Sequence, residues 1–356
     1  MASNLLTHYS YELPQELIAT KPASPRDSAR LMVVDSKSGH VSFDVFRNVD
    51  QYLPKQALLV LNQTKVLPAR VQLHKDTGGK VVVLFLINEW KKGDRYIKGM
   101  VDRGIAINVP LYLTKRKWLI PVSQNANIFT FEANFPLANF LRDVQRRGKT
   151  PIPPYLKETP LSESKLRQRY QTIFAKHAGS VAAPTASLHF TERVFEKLVA
   201  KGIQKSFVTL HVGMGTFAPI SERNFESRTL HEETFDVPHK TIEEVARAKR
   251  EGKPVIAVGT TAMRTLESAA VAFLYERTEK LRNVSGRTDL FMYPPYDFKI
   301  ADALITNFHV PQSSLMCLVD AFLEYKKSPK RIMELYELAI KERMRFFSFG
   351  DAMLIL

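Results

Sequence analysis

The 356-residue sequence predicts an α/β protein that carries a separate all-β segment. From about residue 191 onward, segments with helical spacing alternate with short apolar runs, a pattern typical of helices packed on a parallel or mixed sheet. Between 71 and 135 short alternating runs are separated by turn residues, which favours a small barrel or sheet. The proline-rich string at 151–155 is extended and is expected to connect the two parts.

Individual elements can be assigned along the chain. Apolar runs predict buried strands at 56–61 and 81–87, with turn residues 75–80 forming a hairpin between them, and further strands at 207–212, 254–258 and 303–305. Helices are predicted where a capping residue precedes helical spacing. They are expected from Thr191 to Gly202, from a capping box at 241–244 to Gly252, over 264–279, over 313–325, and from Ser328 onward.

Charge and composition narrow the class of protein. The chain has 51 Lys and Arg against 36 Asp and Glu, a net charge of +15. A basic surface attracts polyanions such as nucleic acids, although a merely solubilising lysine-rich surface would give the same balance. The 45% hydrophobic content excludes a mainly disordered chain. With Cys317 alone, neither an intramolecular disulfide nor a cysteine-rich metal site can form.

Targeting signals and common catalytic motifs are absent from the sequence. No apolar run approaches the ~20 residues of a membrane span, and 1–13 lacks the basic and apolar regions of a secretory signal. We therefore expect a cytoplasmic protein without membrane contact. Neither a zinc-binding H-E-x-x-H nor a phosphate-binding G-x-x-x-x-G-K-[ST] string occurs.

A glycine turn at 212–216 allows two interpretations. It resembles the dinucleotide-binding fingerprint and also the glycine-rich turn of S-adenosylmethionine methyltransferases. A dinucleotide turn leads directly into a helix, whereas 217–221 has no helical periodicity. Gly213 and Gly215 therefore indicate a sharp bend or a close approach of the backbone, for which a plain structural turn is also sufficient.

Polar residues follow two of the predicted strands. Thr260 and Thr261 come after the strand at 254–258 and precede a helix that carries Arg264, while Thr306, Asn307 and His309 follow 303–305. Ligands of open α/β sheets bind beyond the carboxyl ends of strands, where helix amides and hydroxyls can hold a carboxylate or a ribose. His309 is a candidate acid or base. An ordinary threonine cap and a structural histidine would account for the same residues.

Longer strings of the sequence form a characteristic set when they are taken together and in order. They include 11–14, Arg26, 30–31, 61–62, 64–66, 68–70, 151–155, 169–172, 179–191, 211–217, His231 with Glu233, 258–268, 306–309 and 345–351. This set resembles the S-adenosylmethionine:tRNA ribosyltransferase-isomerase family of queuosine biosynthesis, and the similarity covers nearly the whole chain except about 88–140.

The resemblance implies a three-layer α/β sandwich, formed by 1–68 and 151–356, with a small β-barrel inserted over 69–150. It implies transfer and isomerisation of the ribosyl moiety of S-adenosylmethionine onto 7-aminomethyl-7-deazaguanine at the tRNA wobble position. The products would be epoxyqueuosine-tRNA, adenine and methionine. S-adenosylmethionine is thus a co-substrate, no metal is required, and the acceptors are the tRNAs for Asp, Asn, His and Tyr. A monomer is expected.

The resemblance also suggests roles for particular residues. Such a reaction needs a base for a proton next to the sulfonium, assistance to adenine departure, and a positioned amine. The catalytic candidates are His309 and His211 for proton transfer, Asn307 for orienting the substrate, and Asp351 as partner of the amine, with His189, His231 and Glu233 as second choices. The candidates for binding the co-substrate are Gly213, Gly215, Thr260, Thr261, Arg264 and Thr306. Those for binding tRNA are Arg146, Arg147, Lys326 and Lys327.

Several positions depart from the family pattern. They are Gln63, Val82, Ser187, Arg287 and Pro295, and the first two each replace a carboxylate. Two other functions stay open on the residues alone: an S-adenosylmethionine-dependent RNA methyltransferase and a non-catalytic tRNA-binding protein. The first would release S-adenosylhomocysteine, and the second would consume no co-substrate.

Overall fold

A computed structural model describes residues 7–90, 93–213, 220–274 and 283–356. Within these ranges the strands are β1 (Arg30–Val34), β2 (Val41–Val45), β3 (Leu58–Asn62), β4 (Thr64–Val66), β5 (Arg70–His74), β6 (Lys80–Phe85), β7 (Tyr96–Val101), β8 (Leu111–Thr114), β9 (Lys117–Asn125), β10 (Ile128–Ala133), β11 (His177–Ser180), β12 (Gln204–His211), β13 (Thr229–Val237), β14 (Val255–Val258), β15 (Val284–Leu290), β16 (Ala303–Asn307) and β17 (Ala352–Ile355).

The described helices lie between these strands. They are α1 (Val49–Tyr52), α2 (Leu137–Arg147), α3 (Glu163–Arg169), α4 (Glu192–Ala200), α5 (Glu222–Ser227), α6 (His239–Arg250), α7 (Thr260–Ser268), α8 (Ala270–Leu274), α9 (Ser314–Tyr325) and α10 (Ile332–Lys341). Short 3-10 helices occur at Gln15–Leu17, Arg26–Ser28, Phe46–Asn48, Ile87–Glu89, Pro154–Leu156 and Thr185–His189.

A mixed sheet forms the centre of the α/β part. Among the described residues its nine strands follow the order β15-β13-β12-β3-β14-β16-β17-β1-β2. The four neighbours β12, β3, β14 and β16 are parallel to one another, so their carboxyl ends meet at one edge of the sheet. Polar residues that follow these strands in the sequence are therefore neighbours in space.

Both faces of this sheet are covered by helices. Leu58 and Val60 of β3 pack into the core under α6, α7, α9 and α10, whereas Leu59 and Leu61 pack into the opposite core with α1 and α4. Successive strand residues point to opposite faces, so four consecutive apolar residues are required here. The three-layer α/β sandwich is confirmed.

The all-β segment is a closed barrel. In the described part of the chain its six strands follow the order β10-β7-β6-β5-β8-β9 around a core that includes Phe85, Phe131 and Phe140. The chain enters and leaves this region side by side, because the backbones of Arg70 and Lys149 exchange two hydrogen bonds of 3.2 and 2.8 Å.

The hairpin predicted between the runs at 56–61 and 81–87 is wrong in its first strand. Residues 75–79 do form its turn, but β6 pairs with β5 of the barrel. The run at 56–61 became β3 of the large sheet, flanked by β12 and β14. A fully apolar run is equally compatible with either sheet, and only distant residues decide between them.

Helix ends were predicted correctly where the cap is local. The hydroxyl of Thr191 accepts a hydrogen bond from the Val194 amide at the start of α4, and Ser313 does the same for Met316 at the start of α9. The capping box at 241–244 is wrong, because α6 begins at His239 and Thr241 Oγ1 instead donates to the carbonyl of Phe207. Ser328 does not open the last helix either, since α10 begins at Ile332, with Glu334 accepting from the Arg331 amide.

Helix length bears on the membrane question. Across the four described ranges, no helix is long and apolar enough to cross a bilayer. The predicted helix over 264–279 is divided into α7 and α8 as far as Leu274, and its last residues lie outside the described part of the chain.

Candidate active site

A cavity of about 400 Å³ opens at the carboxyl ends of β14 and β16. One wall is apolar and is formed largely by Pro153, Pro154, Tyr155, Ala182, Ala183, Pro184, Ala186, Phe308, Leu315 and Phe347. The polar lining residues, here called the polar wall, are Glu233, Thr260, Thr261, Arg264, Thr306, Asn307 and His309. An apolar cleft with a few convergent polar groups is the usual form of a small-molecule site.

The turn from β14 into α7 supplies part of the polar wall. Gly259 adopts φ +87°, a backbone conformation that favours glycine, and its amide donates to the carbonyl of Ile305 at 2.7 Å. Within the described part of the chain, no side chain caps the start of α7. First-turn amides have no partner within their own helix, so this end attracts negative charge. Thr261 Oγ1 is buried and has no hydrogen-bond partner among the described residues.

Arg264 and Glu233, which both line the cavity, form a buried ion pair. Nη1 of Arg264 contacts Oε2 of Glu233, and their side chains are 10% and 2% exposed. Glu233 Oε1 accepts from the Gly213 amide at 2.9 Å, while Arg264 Nη2 lies 3.4 Å from the Thr288 carbonyl oxygen. Arg264 Nε has no partner among the described residues. The pair is therefore fixed by contacts on both side chains, and Nε of Arg264 is left as a donor for a ligand.

Asn307, at the end of β16, has its amide group oriented by two acceptors. Its Nδ2 lies 3.3 Å from Nε2 of His189 and 3.2 Å from the carbonyl oxygen of Asp351. Both N–H bonds of the amide are thereby used. Oδ1 is buried and has no partner within the described ranges. An unmet buried acceptor beside a cavity is a binding group for an N–H or O–H of a ligand.

His309 lies in the same wall and is deeply buried. Its Nε2 is 2.9 Å from Thr306 Oγ1, its amide donates to the Tyr336 hydroxyl, and its carbonyl accepts from the Tyr11 hydroxyl. Burial lowers the pKa of His309 to about 3 and that of His189 to about 4. Both imidazoles are thus neutral near pH 7 and act as hydrogen-bonding groups rather than cations.

Two of the predicted catalytic residues lie outside the cavity lining. His211 Nδ1 is 2.7 Å from Thr64 Oγ1, Gly179 packs against its ring, and burial, together with nearby His177, lowers its pKa. Asp351 is fully buried, with Oδ1 accepting from Arg345 Nη2 at 2.8 Å. Asp351 reaches the site only through its carbonyl oxygen, which orients Asn307.

The glycine turn is only partly described. Gly213 does not line the cavity, and its amide is engaged by Glu233. A Cβ at this position would clash with the side-chain amide of Asn88, so close packing accounts for the glycine. Gly215 lies outside the described residues.

The predicted tRNA-binding cations are widely separated. Arg146 and Arg147 are exposed at the end of α2, from which 148–152 lead to Pro153 in the cavity wall. Lys326 Nζ donates to the carbonyl of Asp302 at 2.9 Å, at the start of β16. Since the cavity lies at the other end of that strand, Lys326 and Lys327 are on the order of 15 Å away along the sheet.

Sequence reasoning did not assign the apolar wall. Tyr155 and Ser348 share a hydrogen bond of 2.7 Å, and the rings of Tyr155 and Phe347 lie 4.7 Å apart. A signal was present, since the strings at 151–155, 179–191 and 345–351 all belong to the family pattern. Glu233, which the sequence suggested only as a second-choice catalytic residue, is part of the polar wall.

Known proteins share this architecture. A family model described as a queuosine biosynthesis protein matches residues 6–355. The chain belongs to the queuosine biosynthesis protein family. A relative from Thermotoga maritima is 43% identical over 99% of both chains, and one from Fusobacterium nucleatum is 41% identical over 99% of this chain and 97% of its own. Both are named S-adenosylmethionine:tRNA ribosyltransferase-isomerase.

A solved structure agrees with this family assignment. The crystal structure of S-adenosylmethionine tRNA ribosyltransferase from Thermotoga maritima superposes with a TM-score of 0.54, at 33% identity over the structurally aligned residues. It covers 98% of this queuosine biosynthesis family member and 99% of the solved chain. Among the residues described here, no three His, Cys, Asp or Glu side chains are grouped so as to hold a metal ion.

Proposed function

We propose that this chain transfers and isomerises the ribosyl moiety of S-adenosylmethionine onto 7-aminomethyl-7-deazaguanine at the tRNA wobble position. The products are epoxyqueuosine-tRNA, adenine and methionine. The observation that carries the proposal is the convergence of unpartnered buried polar atoms, Thr261 Oγ1, Arg264 Nε and Asn307 Oδ1, in one cavity of a queuosine-family fold.

The co-substrate fits the two walls of the cavity in a definite orientation. Its carboxylate is bound by the first-turn amides of α7, the Thr261 hydroxyl and Nε of Arg264, which together supply donors and a favourable helix dipole. The adenine lies against the apolar wall near Tyr155 and Phe347. Binding at both ends holds the ribosyl group between them.

The attacking amine is oriented by Asn307. Its Oδ1 accepts an N–H of the aminomethyl group, because both N–H bonds of Asn307 are already engaged. Holding the amine next to the ribosyl carbon removes much of the entropic barrier of a two-substrate reaction. Thr306 and neutral His309 complete this part of the wall.

Proton transfer is assigned to histidine. His309 lines the cavity and is the first candidate. His211 is not among the lining residues and is bonded to Thr64, so it would act from outside the described lining. A pKa of about 3 makes His309 a weak base in the free protein. We therefore assign it the transfer or hydrogen-bonding role that needs a neutral imidazole, and Asp351 the role of a positioning residue.

The remaining features follow from the family and from the charge. The partner is a tRNA for Asp, Asn, His or Tyr, attracted by the +15 balance, and the enzyme works as a cytoplasmic monomer. Residues 1–68 and 151–356 form the domain with the active site, and 69–150 form the inserted barrel domain.

One incubation tests the proposal. The protein is mixed with S-adenosylmethionine and a tRNA carrying the aminomethyl base, and nucleosides and small molecules are analysed by mass spectrometry. We expect adenine, methionine and an epoxycyclopentyl nucleoside, and none of them with a tRNA carrying ordinary guanine. S-adenosylhomocysteine would indicate a methyltransferase. Salt-sensitive tRNA binding without consumption of the co-substrate would indicate a binding protein, and either result would refute the proposal.

A further inference from the structure

A second cavity of about 350 Å³ lies between the barrel and the edge of the large sheet. The barrel side is formed by Asn88, Glu89, Lys98, Ser123, Gln124, Asn125, Ile128 and Thr130, and the sheet side by residues 231–234 of β13 and Arg287 of β15. Glu233 lines both this cavity and the first one. The two cavities are therefore neighbours that share the Glu233 side chain.

The second cavity presents hydrogen-bonding groups rather than apolar surface. Asn88 is only 9% exposed, and its Oδ1 has no hydrogen-bond partner among the residues described. Gln124 and Asn125 line the cavity from the exposed end of β9, next to the turn at 126–127. Carboxamides combine a donor and an acceptor, as do the edges of nucleobases. A buried carboxamide oxygen without a partner indicates a ligand that brings an N–H.

The charges in this cavity are already paired. Lys98 Nζ lies 2.9 Å from Glu89 Oε2, and Arg287 Nη1 lies 2.8 Å from Glu232 Oε2. The remaining carboxylate, Glu233, is paired with Arg264. Phosphate groups prefer unpaired cations, so the cavity suits a neutral polar ligand such as a base edge better than a phosphate.

A shallower depression continues the same path over the barrel. It shares Lys98, Thr130 and Arg287 with the second cavity and is bordered by Trp90 and Tyr96. Tyr96 is 46% exposed, and the Arg95 guanidinium lies 5.9 Å from the centroid of its ring. Bases of single-stranded RNA stack on exposed aromatic rings. A cavity, a second cavity and an aromatic platform thus follow one another from the sheet edge across the barrel.

We propose that the second cavity binds the nucleobase adjacent to the modified base and reads its edge through Asn88 and Asn125, while the following base stacks on Tyr96. The inference rests on the proposed function, because the modified base must occupy the first cavity. It assigns to the barrel the selection of the anticodon sequence, a role separate from the chemistry at the strand ends.

Binding of an anticodon stem-loop RNA that carries ordinary guanine at the wobble position tests this directly. This probe binds without reacting, so its dissociation constant is independent of catalysis. We expect Asn125→Ala and Tyr96→Ala to weaken binding about 10-fold each. Asn127→Ala is the matched control, since Asn127 is exposed on the adjacent turn but does not line the cavity, and it should bind as the native protein does.

Base changes in the probe complete the experiment. The nucleotides on the 5′ and the 3′ side of the wobble position are replaced one at a time. Replacement of the one that occupies the second cavity should weaken binding to the native protein about 10-fold, but should have little further effect on Asn88→Ala. If Asn88→Ala does not fold, the same comparison with Asn125→Ala decides. Native-like binding by both exposed variants, or an equal base penalty in native and variant proteins, would refute the inference. Failure of the proposed function is distinct, because it abolishes adenine release while leaving these RNA affinities unchanged.

Discussion

The side chain of Asn307 is oriented from behind by His189, whose Nε2 lies 3.3 Å from Asn307 Nδ2. This contact requires an unprotonated Nε2. Burial lowers the pKa of His189 to about 4, so the imidazole is neutral near pH 7, and its one proton lies on Nδ1, which donates to the Arg26 backbone. Together with the Asp351 carbonyl it turns Oδ1 of Asn307 into the one free polar atom of that amide. A structural histidine thereby decides which atom of a neighbouring side chain is left without a partner.

Replacement of Asn307 by Asp keeps the size of the side chain but removes the two N–H donors that orient it. The carboxylate would place lone pairs against His189 Nε2 and the Asp351 carbonyl, so we expect the rate of adenine release to fall roughly 10- to 100-fold, as for a lost hydrogen bond to a charged group. Asn127→Asp introduces the same change on an exposed turn and should leave the rate unaltered. An Asn307→Asp rate equal to the native one would show that this amide does not orient the amine.

Thr261→Val removes a buried hydroxyl without changing the shape of the side chain. Because Thr261 Oγ1 has no partner among the described residues, the free energy of unfolding without co-substrate should stay the same or rise. Affinity for S-adenosylmethionine should fall about 10-fold, the effect of one lost hydrogen bond of ~1.4 kcal/mol. Urea unfolding and calorimetric titration measure the two effects, and loss of stability with unchanged affinity would make Thr261 a structural residue.

Acid should destabilise the fold through the two buried histidines. The pKa values of His189 and His309 are about 4 and about 3 in the folded protein, below the ordinary value of 6.5. Between pH 6.5 and 4 the unfolded chain therefore binds more protons than the folded chain. The free energy of unfolding decreases as the pH is lowered through this range, by up to about 1.4 kcal/mol per pH unit for each histidine. The contribution is fully present above pH 6.5.

Urea unfolding at pH 7, 6 and 5 measures this dependence. The variant His309→Gln should show a shallower decrease than the native protein, whereas His40→Asn, at an exposed position, should reproduce the native slope. Parallel curves for the native protein and His309→Gln would mean that the pKa of His309 is the same in the folded and the unfolded protein.

Charge reversal distinguishes the two basic pairs. Arg146 and Arg147 are connected by five residues to the cavity wall, whereas Lys326 is bonded to Asp302 at the opposite end of β16. We expect reversal of the arginines to weaken tRNA binding and to reduce the slope of log K against log salt by about 1.4 to 1.8, the value for two phosphate contacts. S-adenosylmethionine binding should be unaffected.

Reversal of Lys326 and Lys327 gives the comparison. If bound tRNA also covers this end of the sheet, the lysine variant should lose as much tRNA affinity as the arginine variant. If bound tRNA is confined to the cavity end, the lysine variant should lose much less. Filter binding at several salt concentrations measures both. Equal loss of tRNA and co-substrate binding in either variant would mean that the cluster supports the fold.

Features set by nearby residues were predicted well from the sequence. The hydroxyl caps of Thr191 and Ser313 act within three residues, and the alternating pattern after β5 describes a barrel because each strand has one inner face. Thr241 looked equally like a cap, but its hydroxyl is used by Phe207 on a distant strand. Tertiary contacts of this kind leave no local trace in a sequence.

The same limit applies to the site. Thr260, Thr261, Thr306 and Asn307 were found because strand ends meet at one edge of a parallel sheet. The pairing of Glu233 with Arg264 joins residues from β13 and α7, and neither spacing nor composition indicates it. His211 and Asp351 were named from the family strings, and their positions behind the cavity depend on partners such as Thr64 and Arg345.

The paired backbones of Arg70 and Lys149 bring the two ends of the barrel segment together. Opposite residues of an antiparallel pair lie about 5 Å apart, so the chain leaves and rejoins the α/β part at nearly the same point. The lining residues of the first cavity, Thr261, Arg264 and Asn307 among them, all lie outside 71–148. A change of length or sequence within the barrel segment therefore leaves the amino acids that line this cavity unaltered.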